Sequence, residues 1–340
     1  MKRTAVVILN WNGCKLLEQF LPPVIEYSNP DTVDIIVADN CSTDDSVDYI
    51  TKEYPQLKTI ILSENYGFAE GYNKALAKLN YEYVVLLNSD VEVTPNWIEP
   101  ITDYLDTNPA VVSAQPKILS QRNKEYFEYA GAAGGFIDKY GYPFCRGRIF
   151  GNLEKDYSQY NTPIDIFWAS GACMFIRLKD FKECGGFDGS FFAHMEEIDL
   201  CWRLNARGKR LVCIPQSVVY HVGAATLSEE SPRKTFLNFR NNLLMLYKNL
   251  PDSELKKTFR IRSFLDRLAI IQMFLSGKSS NAKAIIEARK EFKRIMYEYD
   301  TARKENLNKT VCPQINTAYP KSILYSFYAK GLKTFSKLRF

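Results

Sequence analysis

Apolar runs typical of buried strands alternate with amphipathic helical patterns through the first 120 residues of this 340-residue chain. The strand-like runs occupy residues 4–10, 33–39, 57–62, 83–88 and 111–114. Strands that are apolar on both faces and separated by helices indicate a mostly parallel sheet covered on both sides. Ligands of such sheets bind beyond the carboxyl ends of the strands. Asp39, Asn88 and Asp90 stand at those ends, so position alone makes them candidate ligand-binding residues.

Helix signals lie between the runs. Ser42 is predicted to cap a helix that ends near Glu53, because acids follow it in the first turn. Residues 71–79 are predicted to be helical. Residues 120–165 are rich in Gly, Tyr and Phe, which favours an irregular or β-rich insertion. Helical patterns return at 195–207 and, after Pro232, at 236–250, 258–276 and 281–303.

The composition is that of an ordinary globular protein, with 46% hydrophobic and 24% charged residues. It excludes a disordered chain and a disulfide-stapled miniprotein. The eight cysteines form no C-x-x-C pair, so neither a zinc site nor a disulfide framework is expected. We find no signal peptide and no transmembrane segment and expect a cytoplasmic protein.

Charge is distributed unevenly along the chain. Residues 1–232 carry 21 Lys and Arg against 31 Asp and Glu, whereas residues 233–340 carry 23 against 8. We therefore divide the chain into an acidic body, 1–232, and a basic helical segment, 233–340. The basic segment calls for an anionic partner: a membrane surface, a nucleic acid or the acidic body itself.

An apolar stripe within this segment favours the membrane. It is formed at spacings of three and four by Ile261, Phe264, Leu268, Ile271 and Leu275. The flanking bases are Arg260, Arg262, Arg267 and Lys278. We expect an interfacial helix on the inner face of the cytoplasmic membrane, and the alternative is a helix packed on the acidic body.

Four constellations carry candidate chemistry. The turn 88–90 places a carboxylate, Asp90, where it could hold a divalent metal against a diphosphate, although Asn, Ser and Asp also form ordinary turns. Residues 65–73 combine glycines and asparagines at a strand-to-helix junction, which suits either close approach of a ligand or helix capping. Residues 185–203 contain three acids in four positions, which suit a general base or a solvated helix face. His221 is a metal-ligand candidate only if Asp90 needs a partner.

These segments together resemble family 2 glycosyltransferases of the GT-A fold, in particular rhamnosyltransferase-like enzymes of surface-polysaccharide assembly. The matching segments follow the family order: 7–12 (VILNWN), 37–44 (VADNCSTD), 65–68 (NYGF), 86–90 (LLNSD), 170–172 (SGA), 185–188 (GGFD) and 196–203 (EEIDLCWR). The resemblance covers roughly residues 1–235. It implies a nucleotide-sugar half at 1–120 and an acceptor half at 121–232.

The resemblance also implies residue roles. Glu197 would be the general base on the acceptor hydroxyl of an inverting reaction. Asp90, with His221 as second ligand, would hold Mg²⁺ or Mn²⁺ on the donor diphosphate. The implied donor-binding residues are Asn10, Asp39, Asn65, Gly67, Phe68, Asn73, Asn88 and Asp90. The implied acceptor-site residues are Gly171, Glu196, Asp199 and Arg203. Many relatives carry an acid at the position of Asn88, which gives His221 more weight as a ligand here.

A helical projection supports Glu197 as the base. At 100° per residue, Glu196, Asp199 and Arg203 share one face, and Asp199 can pair with Arg203 one turn away. Glu197 lies outside that cluster. We expect nearby acids to raise its pKa toward neutrality, which suits a general base.

The implied partners are a nucleotide-sugar donor and a glycan or lipid-linked oligosaccharide acceptor. No nucleic acid is expected, because RNP-like and helix-turn-helix signatures are absent. The competing interpretation is a membrane- or nucleic-acid-binding protein with a basic tail and a nucleotide-binding domain. A processive synthase would need a membrane channel and a Q-x-x-R-W motif. A pyrophosphorylase would need a Gly-rich basic loop after the first strand, where this chain has 10–13 (NWNG).

Overall fold

The computed structural model describes residues 2–223 and 231–340. Its strands are β1 (Thr4–Asn10), β2 (Val33–Asp39), β3 (Lys58–Ile61), β4 (Tyr83–Asn88), β5 (Val91–Val93), β6 (Val111–Ser120), β7 (Gly135–Asp138), β8 (Pro143–Cys145), β9 (Arg148–Ile149), β10 (Asn152–Leu153), β11 (Ile164–Asp165), β12 (Cys173–Arg177), β13 (Arg210–His221) and β14 (Ala318–Tyr319). Its α-helices are α1 (Cys14–Glu26), α2 (Ser46–Glu53), α3 (Gly67–Ala77), α4 (Glu99–Thr107), α5 (Leu178–Glu183), α6 (Glu196–Ala206), α7 (Pro232–Asn249), α8 (Asp252–Leu275), α9 (Ser279–Ile295) and α10 (Asp300–Asn308).

A mixed central sheet has the strand order β11-β13-β6-β12-β4-β1-β2-β3, with β5 paired to β13. Strands β3, β2, β1 and β4 are mutually parallel, as predicted, and β12 runs antiparallel to both β4 and β6. In this register Asn10 lies opposite Asp39 and Leu9 lies opposite Asn88. The carboxyl ends of β1, β2 and β4 therefore meet at one edge, which we call the ligand edge.

Apolar side chains bury both faces of the sheet. Strand β1 shows why its sequence forms a central strand: Ala5, Val6 and Val7 are fully buried, with successive residues pointing to opposite faces. Helix α3 is held against the sheet through Tyr72, whose hydroxyl donates to the carbonyls of Val7 (3.3 Å) and Leu87 (3.1 Å). That anchor positions the amino end of α3 at the ligand edge.

The predicted β-rich insertion forms a second sheet with the order β10-β9-β8-β7-β14. Strand β14 comes from the C-terminal segment and pairs in parallel with β7. The segment 233–340 is therefore α-helical only as far as α10, and its last part, with a π-helix at Tyr325–Ala329 and a 3-10 turn at Phe335–Lys337, returns to pack on the body.

Three local predictions were wrong. The helix expected from Ser42 begins at Ser46, because Ser42 donates to the carboxylate of Asp39 and does not cap a helix. The strands expected on either side of Pro215 form one strand, β13, whose pairing with β6 shifts register between Ile214 and Val218. Helix α3 also begins at Gly67, four residues before the predicted start.

None of the helices within the described residues is long and apolar enough to cross a membrane.

Candidate functional site

Asp39 is the centre of a buried polar network at the ends of β1 and β2. Its carboxylate accepts hydrogen bonds from Asn10 Nδ2 (3.0 Å), the Ser42 backbone N–H (2.8 Å) and Ser42 Oγ (2.6 Å). An ionised carboxylate can accept about four hydrogen bonds, so roughly one acceptor position stays free. Asn10 Oδ1 is buried and has no hydrogen-bond partner among the described residues. The ends of β1 and β2 therefore hold two buried acceptors that have capacity for a further hydrogen bond.

Asparagines organise the approach to α3. Asn65 Oδ1 accepts from the N–H of Gly67 (2.9 Å) and from Asn40 Nδ2 (3.0 Å). Asn40 Oδ1 accepts from the N–H of Tyr66 (3.0 Å). Asn65 thus orders the start of α3, the plainer of the two interpretations of this segment.

The amino end of α3 is covered by Phe192. The Phe192 carbonyl accepts from the N–H groups of Phe68 (2.7 Å) and Ala69 (3.1 Å). These two N–H groups are occupied by the chain itself and are not free for a ligand. Gly67 has φ +73°, and a Cβ there would lie 2.5 Å from the Phe192 ring, so the close approach requires glycine.

Gly171 and Asn73, two further predicted site residues, lie near α3. A Cβ on Gly171 would lie 3.1 Å from the ring of Phe68, so Gly171 packs against the donor side of the site. Both polar atoms of the Asn73 side chain bond to the Phe187 backbone at 2.9 Å. Asn73 therefore fixes the 185–188 turn and has little capacity left for a donor.

The turn after β4 carries the predicted metal residues. The N–H of Asn88 donates to the Ala172 carbonyl (3.0 Å), and Asp90 is 6% exposed. His221, at the end of β13, pairs opposite Val91 in β5, which places its Nε2 atom 3.2 Å from Asp90 Oδ1. Two residues 131 positions apart in sequence thus lie in contact at the ligand edge.

Glu128 completes this group. Its Oε1 atom lies 3.4 Å from His221 Nδ1, while Oε2 accepts from the N–H of Ala130. Burial lowers the pKa of His221, but Glu128 and Asp90 outweigh that effect and raise it to about 10. Glu128 was not predicted, and its position in an irregular segment gave no periodic signal.

The Asp90–His221 pair fits one divalent cation in part. In the absence of a cation the 3.2 Å contact is an ion pair, because the raised pKa of His221 keeps a proton on the imidazole beside Asp90. A cation that displaced this proton could take Asp90 Oδ1 and His221 Nε2 as two ligands. Within residues 2–223 and 231–340, no group of three or more His, Cys, Asp and Glu side chains is placed to hold a metal. A cation here would take its remaining ligands from the substrate or water, as Mg²⁺ commonly does.

Glu197 lies in the first turn of α6, and its side chain is partly buried. Its Oε2 atom is buried and has no hydrogen-bond partner among the described residues. Burial raises the pKa of Glu197 to about 7. The direction matches the prediction, but the principal cause is burial, whereas we expected neighbouring acids. Glu196 is more deeply buried, and burial together with Glu197 raises its pKa well above the usual range.

Asp199 and Arg203 are structural residues, which corrects their assignment to the acceptor site. Asp199 is fully buried and accepts from Arg203 Nε (3.0 Å), Lys248 Nζ (2.9 Å) and Asn249 Nδ2 (2.9 Å). Arg203 also donates to the carbonyls of Cys184 and Gly186, each at 2.7 Å. The predicted Asp199–Arg203 pair exists, but it ties α6 to α7 and to the 185–188 turn.

The segment before α6 is under backbone strain. Phe192, His194 and Met195 have φ values of +64°, +71° and +74°. Asn241 on α7 supports them, because its Nδ2 donates to the carbonyls of Phe191 (3.0 Å), Ala193 (3.0 Å) and His194 (2.8 Å). Strain of this kind persists only where the surroundings enforce it, and it is often found at functional sites. Neither Phe192 nor Asn241 was predicted.

Proteins of known sequence and structure resemble this chain. In sequence, N-acetylglucosaminyl-diphospho-decaprenol L-rhamnosyltransferase of Mycobacterium tuberculosis is 26% identical over 234 residues, covering 64% of this chain and 75% of the relative. Rhamnosyltransferase WbbL of Escherichia coli (strain K12) is 27% identical over 163 residues, covering 46% of this chain and 61% of the relative.

In structure, GalNAc-T7 with UDP, GalNAc and Mn²⁺ superposes with a TM-score of 0.61 at 16% identity, covering 93% of this chain and 58% of that one. This likeness, together with the strand order above, makes the fold GT-A, as the resemblance implied. The sequence profile described as Glycosyl transferase family 2 matches residues 5–185, more than half of the chain. The chain therefore belongs to glycosyl transferase family 2.

Proposed function

We propose that this glycosyltransferase moves a sugar from a nucleoside-diphosphate donor to a hydroxyl group of a glycan or lipid-linked acceptor, with inversion at the anomeric carbon. The observation that carries the proposal is Glu197. It is a partly buried carboxylate with an unpartnered oxygen and a pKa raised to about 7. A group with these properties can accept a proton near neutral pH.

The donor occupies the ligand edge in this proposal. The free acceptor positions of Asp39 and Asn10 bind the nucleoside, since hydroxyl and ring N–H groups are donors. The turn 88–90 follows the neighbouring strand β4, which brings the diphosphate toward Asp90. Asn65, Gly67 and Asn73 shape this side of the pocket through the backbone they hold.

Asp90 and His221 would hold Mg²⁺ or Mn²⁺ at this turn. When bound, such a cation neutralises charge on the diphosphate leaving group. Support comes from the 3.2 Å separation of the two side chains and from the Mn²⁺ in the GalNAc-T7 structure. Glu128, on the other ring nitrogen of His221, orients the imidazole so that Nε2 faces Asp90.

Glu197 takes the proton of the acceptor hydroxyl as its oxygen attacks the anomeric carbon. The bond from that carbon to the diphosphate oxygen breaks on the opposite side, so one displacement inverts the configuration. The Phe192 carbonyl, bonded to α3, ties the segment before Glu197 to the donor side of the pocket. Glu196 and Gly171 would border the acceptor.

Rhamnose is the sugar that the comparisons favour. Two relatives carry rhamnosyltransferase in their names, and one name specifies an N-acetylglucosaminyl-diphospho-decaprenol acceptor. We therefore propose a dTDP-rhamnose donor and a polyprenyl-diphosphate-linked acceptor in cell-surface polysaccharide assembly.

The test is a transfer assay on a panel of nucleotide sugars and lipid-linked acceptors with Mn²⁺, in which released nucleoside diphosphate and the anomeric configuration are measured. Glu197→Gln should lose transfer by about 10²-fold or more, the range for a removed general base. The affinity for the donor, measured by calorimetry, should be unchanged because Gln keeps the shape of the side chain.

Glu196→Gln is the matched control, since it is the neighbouring acid and is also buried without a partner for Oε2. Because Glu196 would border the acceptor, the KM for the acceptor can change, but kcat should fall far less than in Glu197→Gln. An active Glu197→Gln together with a dead Glu196→Gln that still binds donor would refute the assignment of the base. A product with retained configuration would refute the single displacement.

A further inference from the structure

Helix α8 turns its polar side inward. Arg262 is 2% exposed and Asp266 is fully buried, although both are ionisable. Arg262 donates to the carbonyl of Tyr140 (2.9 Å) and to Asn242 Oδ1 on α7, and Asp266 pairs with Arg289 on α9. This corrects the sequence expectation that Arg262 flanks the apolar stripe at a surface. Because α8 docks through these polar groups, its apolar side is left facing outward.

The outward side of α8 is an exposed apolar ridge. Its members, which we call the outer ridge, are Phe264 (59% exposed), Leu268 (48%), Ile271 (53%), Phe274 (47%) and Leu275 (84%). At 100° per residue all but Phe274 fall within about 60° of one another. The ridge runs for roughly 16 Å along the helix at 1.5 Å per residue. Contiguous exposed apolar surface of this kind marks an interaction site.

Basic side chains border the ridge. Lys256, Lys257, Arg260 and Arg267 are all exposed on α8. Of the acids on this helix, Asp266 is buried, and Asp252 and Glu254 lie in the first turn beside Lys256 and Lys257, so Arg260 and Arg267 are the bases that lie along the ridge. The outward face of α8 therefore combines apolar side chains with positive charge.

This combination selects among possible occupants. A second copy packed ridge against ridge would bring like charges of the two copies together, which is unfavourable. The ridge also exposes on the order of 500 Å², less than the about 800 Å² per partner of a standard protein interface. An anionic lipid surface, in contrast, accepts apolar side chains and attracts the surrounding bases at once.

We propose that the outer ridge of α8 lies in the interfacial region of a membrane containing anionic lipids, parallel to its surface. This surface is separate from the ligand edge, and the inference does not depend on the proposed function. Neighbouring residues of α7 relate the two regions: Asn242 bonds to Arg262 on α8, and Asn241 holds the segment before Glu197. Docking through α8 would therefore hold the segment before Glu197, residues 191–194, at a set distance from the lipid.

The test is flotation of the full chain with vesicles of phosphatidylcholine alone or with about one third phosphatidylglycerol, without donor or acceptor. The protein should float with the anionic vesicles at low salt and less at high salt. Leu268→Gln/Leu275→Gln should reduce the floated fraction at least 10-fold. Arg260→Gln/Arg267→Gln should reduce it and weaken its salt dependence.

The matched control is Leu153→Gln/Val311→Gln, which alters two apolar side chains exposed elsewhere, 39% and 69%. It should float like the unmodified protein. Unchanged circular dichroism and transfer to a water-soluble acceptor would show that the ridge variant is folded. A full chain that stays in the dense fraction with anionic vesicles, or a dimer in sedimentation that the ridge variant dissociates, would overturn the proposal.

Discussion

Glu197 combines two properties that cost stability in a folded protein. Its carboxylate is removed from water, and one oxygen has no internal hydrogen-bond partner. Burying a charge without a partner is unfavourable, so the neutral form is favoured and the pKa rises to about 7. In the proposed mechanism, the same property would supply the base that the reaction needs near neutral pH.

The pH profile of transfer should report this group. A base acts only when deprotonated, so kcat/KM should fall about tenfold per pH unit below a pKa near 7 and level off above it. The measurement is kcat/KM from pH 5.5 to 8.5. Residual activity of Glu197→Gln should lack this acidic limb.

Stability gives an independent check. A carboxyl group whose pKa is higher in the folded state lowers stability progressively from its unfolded pKa, near 4.5, up to about 7. Glu197→Gln should therefore raise Tm more at pH 8 than at pH 4. An equal change at both pH values would indicate that Glu197 is an ordinary surface carboxylate.

Glu128 is predicted to act through His221. A carboxylate on the far ring nitrogen fixes the orientation of a ligand histidine, and its loss typically costs 10–100-fold in metal affinity. Glu128→Gln should weaken Mn²⁺ binding by about that factor, measured by electron paramagnetic resonance of free Mn²⁺ in the presence of nucleoside diphosphate. Glu125→Gln, 65% exposed and paired with Lys155, is the control and should bind Mn²⁺ normally. Equal affinity in both variants would exclude this role.

At the scale of elements, α7 holds in place the segment before Glu197, residues 191–194. Asn241 donates to three carbonyls in the 191–194 segment, where positive φ values make the backbone unfavourable by itself. Helix α7 also contributes Lys248 and Asn249 to the buried carboxylate of Asp199. The C-terminal segment therefore helps to build the site that the first half of the chain begins.

Asn241→Ala should free that segment, because the Ala193 and His194 carbonyls lose their side-chain donor and the Phe191 carbonyl keeps only Arg240 as a side-chain donor. We expect a loss of about 1–3 kcal/mol in unfolding free energy and a fall in kcat that exceeds any change in donor affinity. Urea denaturation and donor calorimetry measure the two effects. Asn238→Ala, which removes only a bond to the Lys234 carbonyl in the same helix, should leave kcat unchanged. An equal fall in kcat in both variants would contradict this supporting role of Asn241.

At the scale of the whole molecule, the chain closes on itself. Asp138 in β7 accepts from the N–H groups of Tyr140 (2.9 Å), Tyr142 (2.9 Å) and Ile323 (2.8 Å), so one buried carboxylate joins the small sheet to the C-terminal tail. Phe335 then packs on Phe136 with ring centroids 4.8 Å apart.

Asp138→Ala should release this tail. One buried N–H group, of Ile323, and two partly buried ones, of Tyr140 and Tyr142, lose their acceptor. This predicts a loss of about 2 kcal/mol in unfolding free energy and faster trypsin cleavage after the tail lysines. Asp138→Asn keeps one oxygen acceptor, so its stability and its cleavage rate should lie between those of Asp138→Ala and the unmodified protein. Proteolysis followed by mass spectrometry measures the effect, and an unchanged cleavage rate in Asp138→Ala would show that the tail is held by its aromatic contacts alone.

Much of the fold follows from local sequence. The runs at 4–10, 33–39 and 83–88 became strands with the predicted bounds, because a buried parallel strand needs little beyond a short, continuous apolar stretch. The carboxyl ends of these strands then had to meet at one edge, which brought Asn10, Asp39 and Asn88 together. The separation of Glu197 from the Asp199–Arg203 pair followed from helical periodicity.

Contacts between distant segments were decided only in three dimensions. Glu128 contacts His221 from an irregular stretch. The Phe192 carbonyl accepts the hydrogen bonds of the first N–H groups of α3. Helix α8 buries its polar side because Tyr140, Asn242 and Arg289 supply partners there. Periodicity describes which residues of one element share a face. It does not specify which face finds partners, because the hydrogen bonds and ion pairs that settle the choice come from residues far away in sequence and form only when the elements pack.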